Sequence, residues 1–474
     1  MTFYFYDLET GGLSPRASRI MQFAGQRTDM ELRPVGEPDN ILIKMTPDAL
    51  PDPDAVLVTG ITPQATLAGG ITESEFVNYL TSKVFLPDTI FVGYNNVRFD
   101  DEFMRFTLWR NLADPYEWQW KNGCSRWDIL DIARMTRALR PEGLKWPYGE
   151  DGTPNVKLEK LSELNNLTHS NAHDALSDVM AVIGVAKLIK QKQPKLYDYL
   201  LKNRYKKEVQ KLVEKNEPII YSSGRYPGNY EKTTVTIAVA YPSDGRGALM
   251  YDLRIIPDSF TDLSSAELAA MWSKTGKDAP YFPVKRLAYN RCPVIAPFSV
   301  LDSKSEKRLH IDNKLVAENL QKLRKADSFG DRLLDSLQIM DRKRQTEIEL
   351  NEQLVDELLY DSFISGTDKT KMSVVRASDP QELANLNIKF NDQRLNLLLP
   401  IYKARNFPKY LNDDEKAWWE KFRIAKLLAG GDNSRSSAYF KRIRGLSNQP
   451  GLTDQDKYLL EELNLYGQSI MPGA

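Results

Sequence analysis

The sequence predicts a mixed α/β domain, then a smaller β-rich domain, then a helical domain, and three patterns support this division. From Phe3 to about Lys190, short apolar segments of strand length are mixed with longer stretches of helical periodicity. After the basic stretch from Lys202 to Lys215, apolar residues recur at the strand period of two. Beyond Glu352, leucines recur at helical spacing among lysines and glutamates. We therefore place the domains at residues 1–193, 194–345 and 350–474.

Three strands are predicted in the first domain, and the first two form a hairpin because turn residues separate them. The strands run from Phe3 to Leu8, from Ile20 to Gly25 and from Thr89 to Gly93. Helices are predicted from Asp101 to Asn111, from Trp127 to Leu139, from Leu158 to Asn165 and from Asp174 to Lys190.

The second domain has its clearest strand at the alternating residues Val235, Ile237, Val239 and Tyr241, which precede a turn at Ser243-Asp244-Gly245. A helix is predicted near Asn313 to Lys325, and the charged stretch from Asp341 to Asn351 is predicted to be a linker. The helical third domain contains the pair Trp418-Trp419.

The composition is typical of a soluble globular protein, with 42% hydrophobic and 27% charged residues and no apolar run long enough to span a bilayer. The first residues lack the pattern of an export signal. Only two cysteines, Cys124 and Cys292, are present, which favours a reducing compartment, so a cytoplasmic location is expected. Basic and acidic residues are equal at 64 each, so any nucleic-acid binding must use a local basic patch.

Two acidic residues, Asp7 and Glu9, stand at the end of the first predicted strand. Because side chains alternate along a strand, both carboxylates point to one face. Carboxylates so close together repel each other unless a divalent cation lies between them. The pair therefore indicates a metal site, although a chance pair of acids at a strand end has the same pattern.

Two further acids and a histidine follow later elements. Asp100 lies near the start of the helix after the third strand, where an aspartate is often only a helix cap. His173 and Asp178 open the last helix of the domain, and both can reach a site in front of the sheet. A lone histidine at a helix start is more often a cap or surface residue. The hypothesis of a catalytic site therefore depends on the co-occurrence of all five residues.

These motifs resemble the DEDD superfamily of 3′-to-5′ exonucleases, in its histidine-bearing subgroup. The superfamily pattern of Asp-x-Glu, Asn-x-x-Phe-Asp and His-x-Ala-x-x-Asp is matched at residues 7–9, 96–100 and 173–178. One position departs from the pattern, because many relatives carry a glutamate in the hairpin strand where this sequence has Gln22. No catalytic role is assigned to Gln22.

A narrower resemblance, to the bacterial exodeoxyribonuclease I family, covers essentially the whole chain. It is carried by residues 94–102, 125–128, 139–143, 170–174 and 404–408. The resemblance implies an RNase H-like exonuclease domain with a mixed sheet and flanking helices, a β-barrel SH3-like domain and an all-helical C-terminal domain. It also implies a groove for single-stranded DNA, attack from the 3′ end, and action in DNA repair and recombination.

Hydrolysis of a phosphodiester requires an aligned nucleophile and relief of charge on the attacking and leaving oxygens, which two cations can supply. Carboxylate oxygens suit Mg²⁺, and Mn²⁺ is a possible substitute. We assign Asp7 as the bridging ligand, Glu9 and Asp178 to the site of the nucleophilic water, and Asp100 to the second metal through water. His173 is the expected general base because imidazole titrates near neutral pH. The expected products are 5′-mononucleotides.

Aromatic residues interleaved with arginines between residues 94 and 146 are typical of single-strand binding, although such aromatics are often core residues. The resemblance favours Arg105, Tyr116, Trp120 and Arg134 as strand contacts and Lys157 near the scissile end. It places the 3′-hydroxyl beside Glu9 and Thr10.

The family resemblance also implies binding of the acidic tail of single-stranded DNA-binding protein, for which a basic pocket with an apolar floor is needed. Arg140 and Tyr199 match that pocket, and both are equally compatible with ordinary surface residues. A monomer is expected. Two alternatives are a proofreading or RNA-trimming exonuclease, which shares the catalytic residues but is usually a single domain, and a non-catalytic nucleic-acid-binding scaffold, which would be expected to lose an acid.

Overall fold

The computed structural model describes residues 1–167, 174–274, 280–345 and 352–472. Its first sheet has five strands in the order β3-β2-β1-β4-β5. The central strand β1 pairs antiparallel with β2 and parallel with β4, and β4 pairs parallel with β5. The strands are β1 (Thr2–Thr10), β2 (Ile20–Thr28), β3 (Asp39–Leu42), β4 (Thr89–Gly93) and β5 (Ser125–Asp128).

Helices cover both faces of this sheet, and the period of two along β1 sorts its side chains between them. Phe3 and Phe5 pack in one apolar cluster with residues of α7 (Ala175–Lys192), whereas Tyr4 and Tyr6 pack on the other face with residues of α4 (Asp100–Arg110). Asp7 and Glu9 therefore lie on the α7 side. The helices are α1 (Pro53–Thr59), α2 (Pro63–Gly69), α3 (Glu73–Tyr79), α4 (Asp100–Arg110), α5 (Ile129–Leu139), α6 (Leu158–Leu164) and α7 (Ala175–Lys192).

The predicted helix from Trp127 to Leu139 is wrong at its start. Trp127 lies in the four-residue strand β5, where it is paired with Val92 of β4, and the helix α5 begins at Ile129. Asp128 caps this helix, because its side chain accepts a hydrogen bond from the amide of Leu130 at 3.0 Å. The third predicted strand, Thr89–Gly93, is confirmed.

The second sheet is antiparallel and has the order β10-β6-β7-β8-β9. The predicted β-barrel is not closed, since among the described residues the end strands β9 and β10 do not pair with each other and the sheet is open. The edge strand β10 contacts α5 and the helix α9 (Lys206–Val213) instead, so helices cover it. The strands are β6 (Ile219–Ser222), β7 (Thr233–Ala240), β8 (Gly247–Asp252), β9 (Val284–Ala288) and β10 (Val294–Pro297).

The predicted linker from Asp341 to Asn351 is wrong for its first five residues, which continue α14. Residues 346–351 lie outside the described residues. The predicted helix near Asn313 to Lys325 is confirmed as α13. The helices of this part are α8 (Pro194–Lys202), α9 (Lys206–Val213), α10 (Asp258–Thr261), α11 (Ser265–Ser273), α12 (Ser303–Arg308), α13 (Asn313–Lys325) and α14 (Phe329–Gln345).

The C-terminal part is helical and packs against the first sheet's helices. It begins with a 3₁₀ segment, Glu352–Tyr360, which contacts α4. Its α-helices are α15 (Gly366–Ala377), α16 (Pro380–Asn385), α17 (Gln393–Asn406), α18 (Asp413–Leu428), α19 (Arg435–Ser447) and α20 (Asp454–Ser469). Within the described ranges, none of the helices is both long and apolar enough to cross a membrane.

A buried charge network joins the C-terminal part to the first domain. Arg405 lies 2.6 Å from a carboxylate oxygen of Asp48 and 2.6 Å from one of Asp356, and Lys426 contacts both acids at 2.5 and 3.1 Å. Arg19 adds a 3.0 Å contact to Asp356. Burial alone would raise the pKa of Asp48, but Arg405 and Lys426 hold it well below its usual value.

Candidate active site

Three carboxylates converge at the end of β1. Asp7 and Glu9 project from the same face of this strand, and Asp178 faces them from the first turn of α7. One potential ligand atom from each residue lies within 4.8 Å of the others. Asp7 and Asp178 are partly exposed, whereas Glu9 is buried, so the cluster lines a cleft. Such a set of hard oxygen donors can hold a divalent cation.

The start of α7 is fixed by a cap that places Asp178. The Asp174 side chain accepts hydrogen bonds from the Ser177 amide at 3.3 Å and from its hydroxyl at 3.1 Å. This bond begins the helix, so Asp178 stands in the first turn and is directed towards β1. His173, the predicted general base, lies outside the described residues.

Asp100 is the first residue of α4 and is buried, with a relative exposure of 4%. The capping position belongs to Phe99, which makes no side-chain cap, so Asp100 is not the helix cap that its sequence position allowed. Asp100 stands outside the set of three that converges within 4.8 Å, but its charge raises the pKa of Asp7. It therefore belongs to the same electrostatic cluster.

Three carboxylates of this cluster, those of Asp7, Glu9 and Asp100, have raised pKa values. The pKa of Asp7 is well above its usual value because surrounding protein atoms exclude water, with Asp100 and Asp178 adding repulsion. Burial, followed by the charges of Asp7 and Asp178, raises the pKa of Glu9 to about 9. Burial also raises the pKa of Asp100 well above its usual value. Acids that are held together in this way and repel one another are the donor set that a cation completes.

The residues predicted to contact the DNA strand differ in their exposure and in their hydrogen bonds. The β1–β2 register shifts between Glu9 and Thr10, and the buried Thr10 hydroxyl donates to the carbonyl of Gly12 at 2.9 Å. Lys157 is exposed at the N-cap position of α6. Trp120 is 63% exposed, which leaves its ring available for stacking.

The two predicted arginine contacts are paired with acids on their own helices. Arg105 lies 2.6 Å from Glu102, and it also donates to Gln119 at 2.8 Å and lies over the half-buried ring of Tyr116. Arg134 lies 2.5 Å from Asp131. Their direct contact with a DNA strand stays a prediction, as does that of Tyr116.

Arg140 and Tyr199, the predicted partner-binding residues, are both half-buried. Arg140 donates to the carbonyl of Val300 at 2.8 Å and lies 3.4 Å from Asp302. Burial raises the pKa of Tyr199 to about 12. These contacts leave the predicted role open.

Sequence reasoning missed the neighbours of Asp100 on α4. The fully buried carboxylate of Asp101 accepts a 2.5 Å hydrogen bond from the Tyr6 hydroxyl and pairs with Arg126. Glu102 follows it and contacts the other parts of the chain. The signal was present as a run of three acids, Asp100-Asp101-Glu102, in which only one was given a role.

A mixed five-stranded sheet holds converging acids at the end of its central strand, and such a donor set suits metal-assisted hydrolysis of a phosphodiester. The family model described as "Exonuclease" matches residues 4–186, which include all of these acids. The class of protein is therefore an exonuclease, and its exonuclease domain depends on a divalent metal. The models described as "Exonuclease I SH3-like domain" and "Exonuclease I C-terminal domain" match residues 204–338 and 353–470.

Two named relatives are similar in sequence to nearly the whole of this chain. Exodeoxyribonuclease I of Haemophilus influenzae is 40% identical over 435 residues, which cover 90% of each chain. The Escherichia coli protein of the same name is 39% identical and covers 89% of each chain. A crystal structure of E. coli exonuclease I in complex with a dA16 oligonucleotide has a TM-score of 0.92 at 36% identity, and covers 99% of this chain and all of that one. The chain belongs to the exodeoxyribonuclease I family, and the resemblance found in its sequence is confirmed.

Proposed function

We propose that this chain degrades single-stranded DNA from the 3′ end and releases 5′-mononucleotides by metal-assisted hydrolysis. The observation that carries the proposal is the convergence of Asp7, Glu9 and Asp178 within 4.8 Å. The raised pKa values of Asp7 and Glu9 support it, because carboxylates crowded together in this way are stabilised by a divalent cation that neutralises their charge.

The choice of single-stranded DNA is supported by the solved relatives. The E. coli enzyme has been crystallised with a dA16 oligonucleotide and with a 5cy-dT13 oligonucleotide. In this chain the exposed ring of Trp120 supplies a surface on which a base can stack regardless of sequence. Lys157 is exposed and can contact a phosphate near the scissile bond. Arg105, Tyr116 and Arg134 complete the proposed strand contacts.

We propose that the cleft holds two Mg²⁺ ions, with Mn²⁺ as a possible substitute. A zinc-bound form of the E. coli enzyme with single-stranded DNA shows that a relative accepts a divalent ion. Bound metal would lower the pKa of a water molecule and neutralise charge on the phosphate. In our assignment Asp7 would be a ligand of both ions, Glu9 and Asp178 would hold one of them, and Asp100 would hold the second through water.

The remaining roles belong to this chain's own groups. His173 precedes the cap of α7 and is the proposed general base, which removes the proton from the attacking water. Glu9 and Thr10 stand where the β1–β2 register shifts, and the backbone there is proposed to bind the terminal 3′-hydroxyl. Loss of the terminal nucleotide leaves a new 3′-hydroxyl, so the same contacts can be made again after each step.

The relatives also support a proposal about the protein partner and the cellular role of this chain. A solved structure of a relative is described as SSB/exonuclease I in complex with an inhibitor. We propose that the acidic tail of single-stranded DNA-binding protein docks against Arg140 and Tyr199 of this chain. We further propose a cytoplasmic monomer with the domain division 1–193, 194–345 and 350–474, acting in DNA repair and recombination.

Digestion of a 5′-labelled single-stranded oligonucleotide tests the proposal. Wild type and Asp178→Asn are compared with Mg²⁺ or EDTA, and duplex DNA and RNA serve as controls. We expect a Mg²⁺-dependent ladder that shortens from the 3′ end, is absent in the variant, and is weak on duplex and RNA. Trimming of RNA with intact DNA would favour an RNA-trimming exonuclease. No cleavage of either would leave only a nucleic-acid-binding role.

A further inference from the structure

Glu102 of α4 is a junction between three parts of the chain. Its Oε1 atom lies 2.6 Å from Arg105 on the same helix and 3.1 Å from the Nη2 atom of Arg291, which belongs to the SH3-like region. Its Oε2 atom accepts a hydrogen bond from the Tyr360 hydroxyl at the start of the C-terminal region. One carboxylate therefore receives a donor from each of the other two regions.

This junction lies two residues from Asp100, at a helix start that has no side-chain cap. The first turn of α4 is held by its own acids instead. Asp101 ties it to Tyr6, the neighbour of Asp7 on β1, and to Arg126 on β5. Arg126 in turn donates to the carbonyl of Asn290 at 2.5 Å, next to Arg291. The SH3-like region thus contacts the first turn of α4 directly at Glu102 and, by way of Arg126, at Asp101.

We propose that Glu102 is a positioning residue for catalysis. Through Arg291 and Tyr360 it transmits the arrangement of the SH3-like and C-terminal regions to α4, and thereby fixes the carboxylate of Asp100 in the metal-binding cleft. This inference rests on the proposed function, in which Asp100 holds the second ion. It adds that the two later regions are needed for chemistry as well as for contact with DNA.

A purely structural role accounts poorly for the arrangement. The side chain of Arg291 is 48% exposed and Tyr360 is 43% exposed, and contacts at such exposed sites stabilise a fold very little. The Glu102 side chain, in contrast, is only 12% exposed and accepts from three donors. Residues that orient metal ligands change metal affinity or activity by about 10- to 100-fold when they are replaced.

The test compares Glu102→Gln with wild type by calorimetric titration of Mn²⁺ without DNA and by steady-state kinetics on a single-stranded oligonucleotide. Glutamine keeps the size of the side chain but removes its negative charge, so the contacts with Arg105 and Arg291 lose their charge assistance. We expect about tenfold weaker Mn²⁺ binding and a similar fall in kcat. Any change in KM reports on Arg105, the proposed strand contact that also pairs with Glu102, and the Mn²⁺ titration without DNA is independent of it.

Two further variants make the result specific. The double variant Arg291→Met and Tyr360→Phe leaves Glu102 intact and removes the two donors that reach it from the other regions. Because both changed side chains are half-exposed, this variant tests the same contacts even if Glu102→Gln does not fold. We expect it to reproduce the loss. The control Asp54→Asn removes another carboxylate that pairs with the C-terminal region, through Arg442 at 2.5 Å, but it stands on α1. We expect wild-type kcat and Mn²⁺ affinity for this control.

Glu102→Gln with a lowered unfolding temperature but wild-type Mn²⁺ affinity and kcat would show a structural role only and overturn the inference. Equal losses in Asp54→Asn would also overturn it, since any contact between regions would then suffice. A wild-type protein that binds no metal or cuts no strand would instead overturn the proposed function, and this outcome is separated because it does not depend on Glu102.

Discussion

Asp7 on β1 and Asp178 on α7 bring carboxylate oxygens within 4.8 Å of each other, with Glu9 as the third member of the group. The charge of Asp178 is one of the causes that raise the pKa of Asp7. Two elements that are remote in sequence are therefore folded together against electrostatic repulsion. Sites of this kind favour function at the expense of stability.

Replacement of Asp178 by asparagine should separate the contribution of this carboxylate to catalysis from its effect on stability. Loss of a metal ligand should reduce strand hydrolysis by at least about a hundredfold, the upper end of what residues around metal ligands contribute. The metal-free variant should unfold at a higher temperature than the metal-free wild type, because one repelling charge is gone. Activity assays and thermal unfolding in EDTA measure the two effects. A variant that is less stable without metal would contradict the repulsion argument.

Glu9 should make metal binding dependent on pH. Burial, with Asp7 and Asp178 adding, raises its pKa from 4.5 to about 9 in the folded, metal-free protein. The stability contributed by this proton is fully present below pH 4.5 and is lost as the pH rises through about 9.

A cation must displace this proton, so Mn²⁺ affinity should rise with pH across that range. Calorimetry near neutral pH in two buffers of different protonation enthalpy should detect proton release on Mn²⁺ binding. Glu9→Gln should reduce the number of protons released. An unchanged number in that variant would assign the released proton to another group.

The first sheet was largely predictable because its long strands carry their own periodicity. The strand β4 has the predicted bounds, and β1 and β2 extend only a few residues beyond them. The four-residue strand β5 was missed because Trp127 is placed by pairing with Val92, a partner that local sequence does not reveal. The open edge of the predicted barrel had no local signal either, since the edge of β10 is covered by helices rather than by another strand.

The acidic residues of the site could be predicted from the sequence, but most of the contacts that hold them in place could not. The strand period placed Asp7 and Glu9 on one face, and the structure joins Asp178 to them. The pairing of Arg105 with Glu102 had a local signal, because an acid three residues before an arginine on a helix favours a contact. The contact of Glu102 with Tyr360 had none, because it depends on how the C-terminal region packs.

Trp120 offers a direct test of strand binding. Its 63% exposure leaves most of the ring free to stack on a base, and such stacking contributes about 1 to 3 kcal/mol per base. Trp120→Ala should therefore weaken binding of a labelled single-stranded oligonucleotide by about 5- to 150-fold, measured by fluorescence anisotropy in EDTA. The control Tyr458→Ala removes an aromatic ring that is 53% exposed on α20 and should bind as wild type. Equal losses in both variants would argue against a stacking site at Trp120.

Asp356 should be essential for joining the C-terminal region to the first domain. It contacts Arg405 at 2.6 Å, Arg19 at 3.0 Å and Lys426 at 3.1 Å, all in a buried setting. The same cations hold its pKa well below the usual value, although burial alone would raise it. Removal of its charge leaves Arg405 and Lys426 to share Asp48 and leaves Arg19 with longer contacts, at 3.9 Å to Asp48 and 3.7 Å to Glu73.

Breaking a buried pair from one side typically costs about 3 to 5 kcal/mol, so Asp356→Asn should lower the free energy of unfolding by a similar amount. Denaturant unfolding followed by tryptophan fluorescence measures this change. Asp54→Asn, which breaks a half-exposed pair between the same two regions, should leave the unfolding midpoint near that of wild type.

Because Arg19 immediately precedes β2 and its Nη1 donates to the carbonyl of Ala17 at 3.3 Å, Asp356→Asn should also loosen the loop that follows Thr10. Its kcat should therefore fall even at temperatures where the variant remains folded, and a folded variant with wild-type kcat would confine Asp356 to stability.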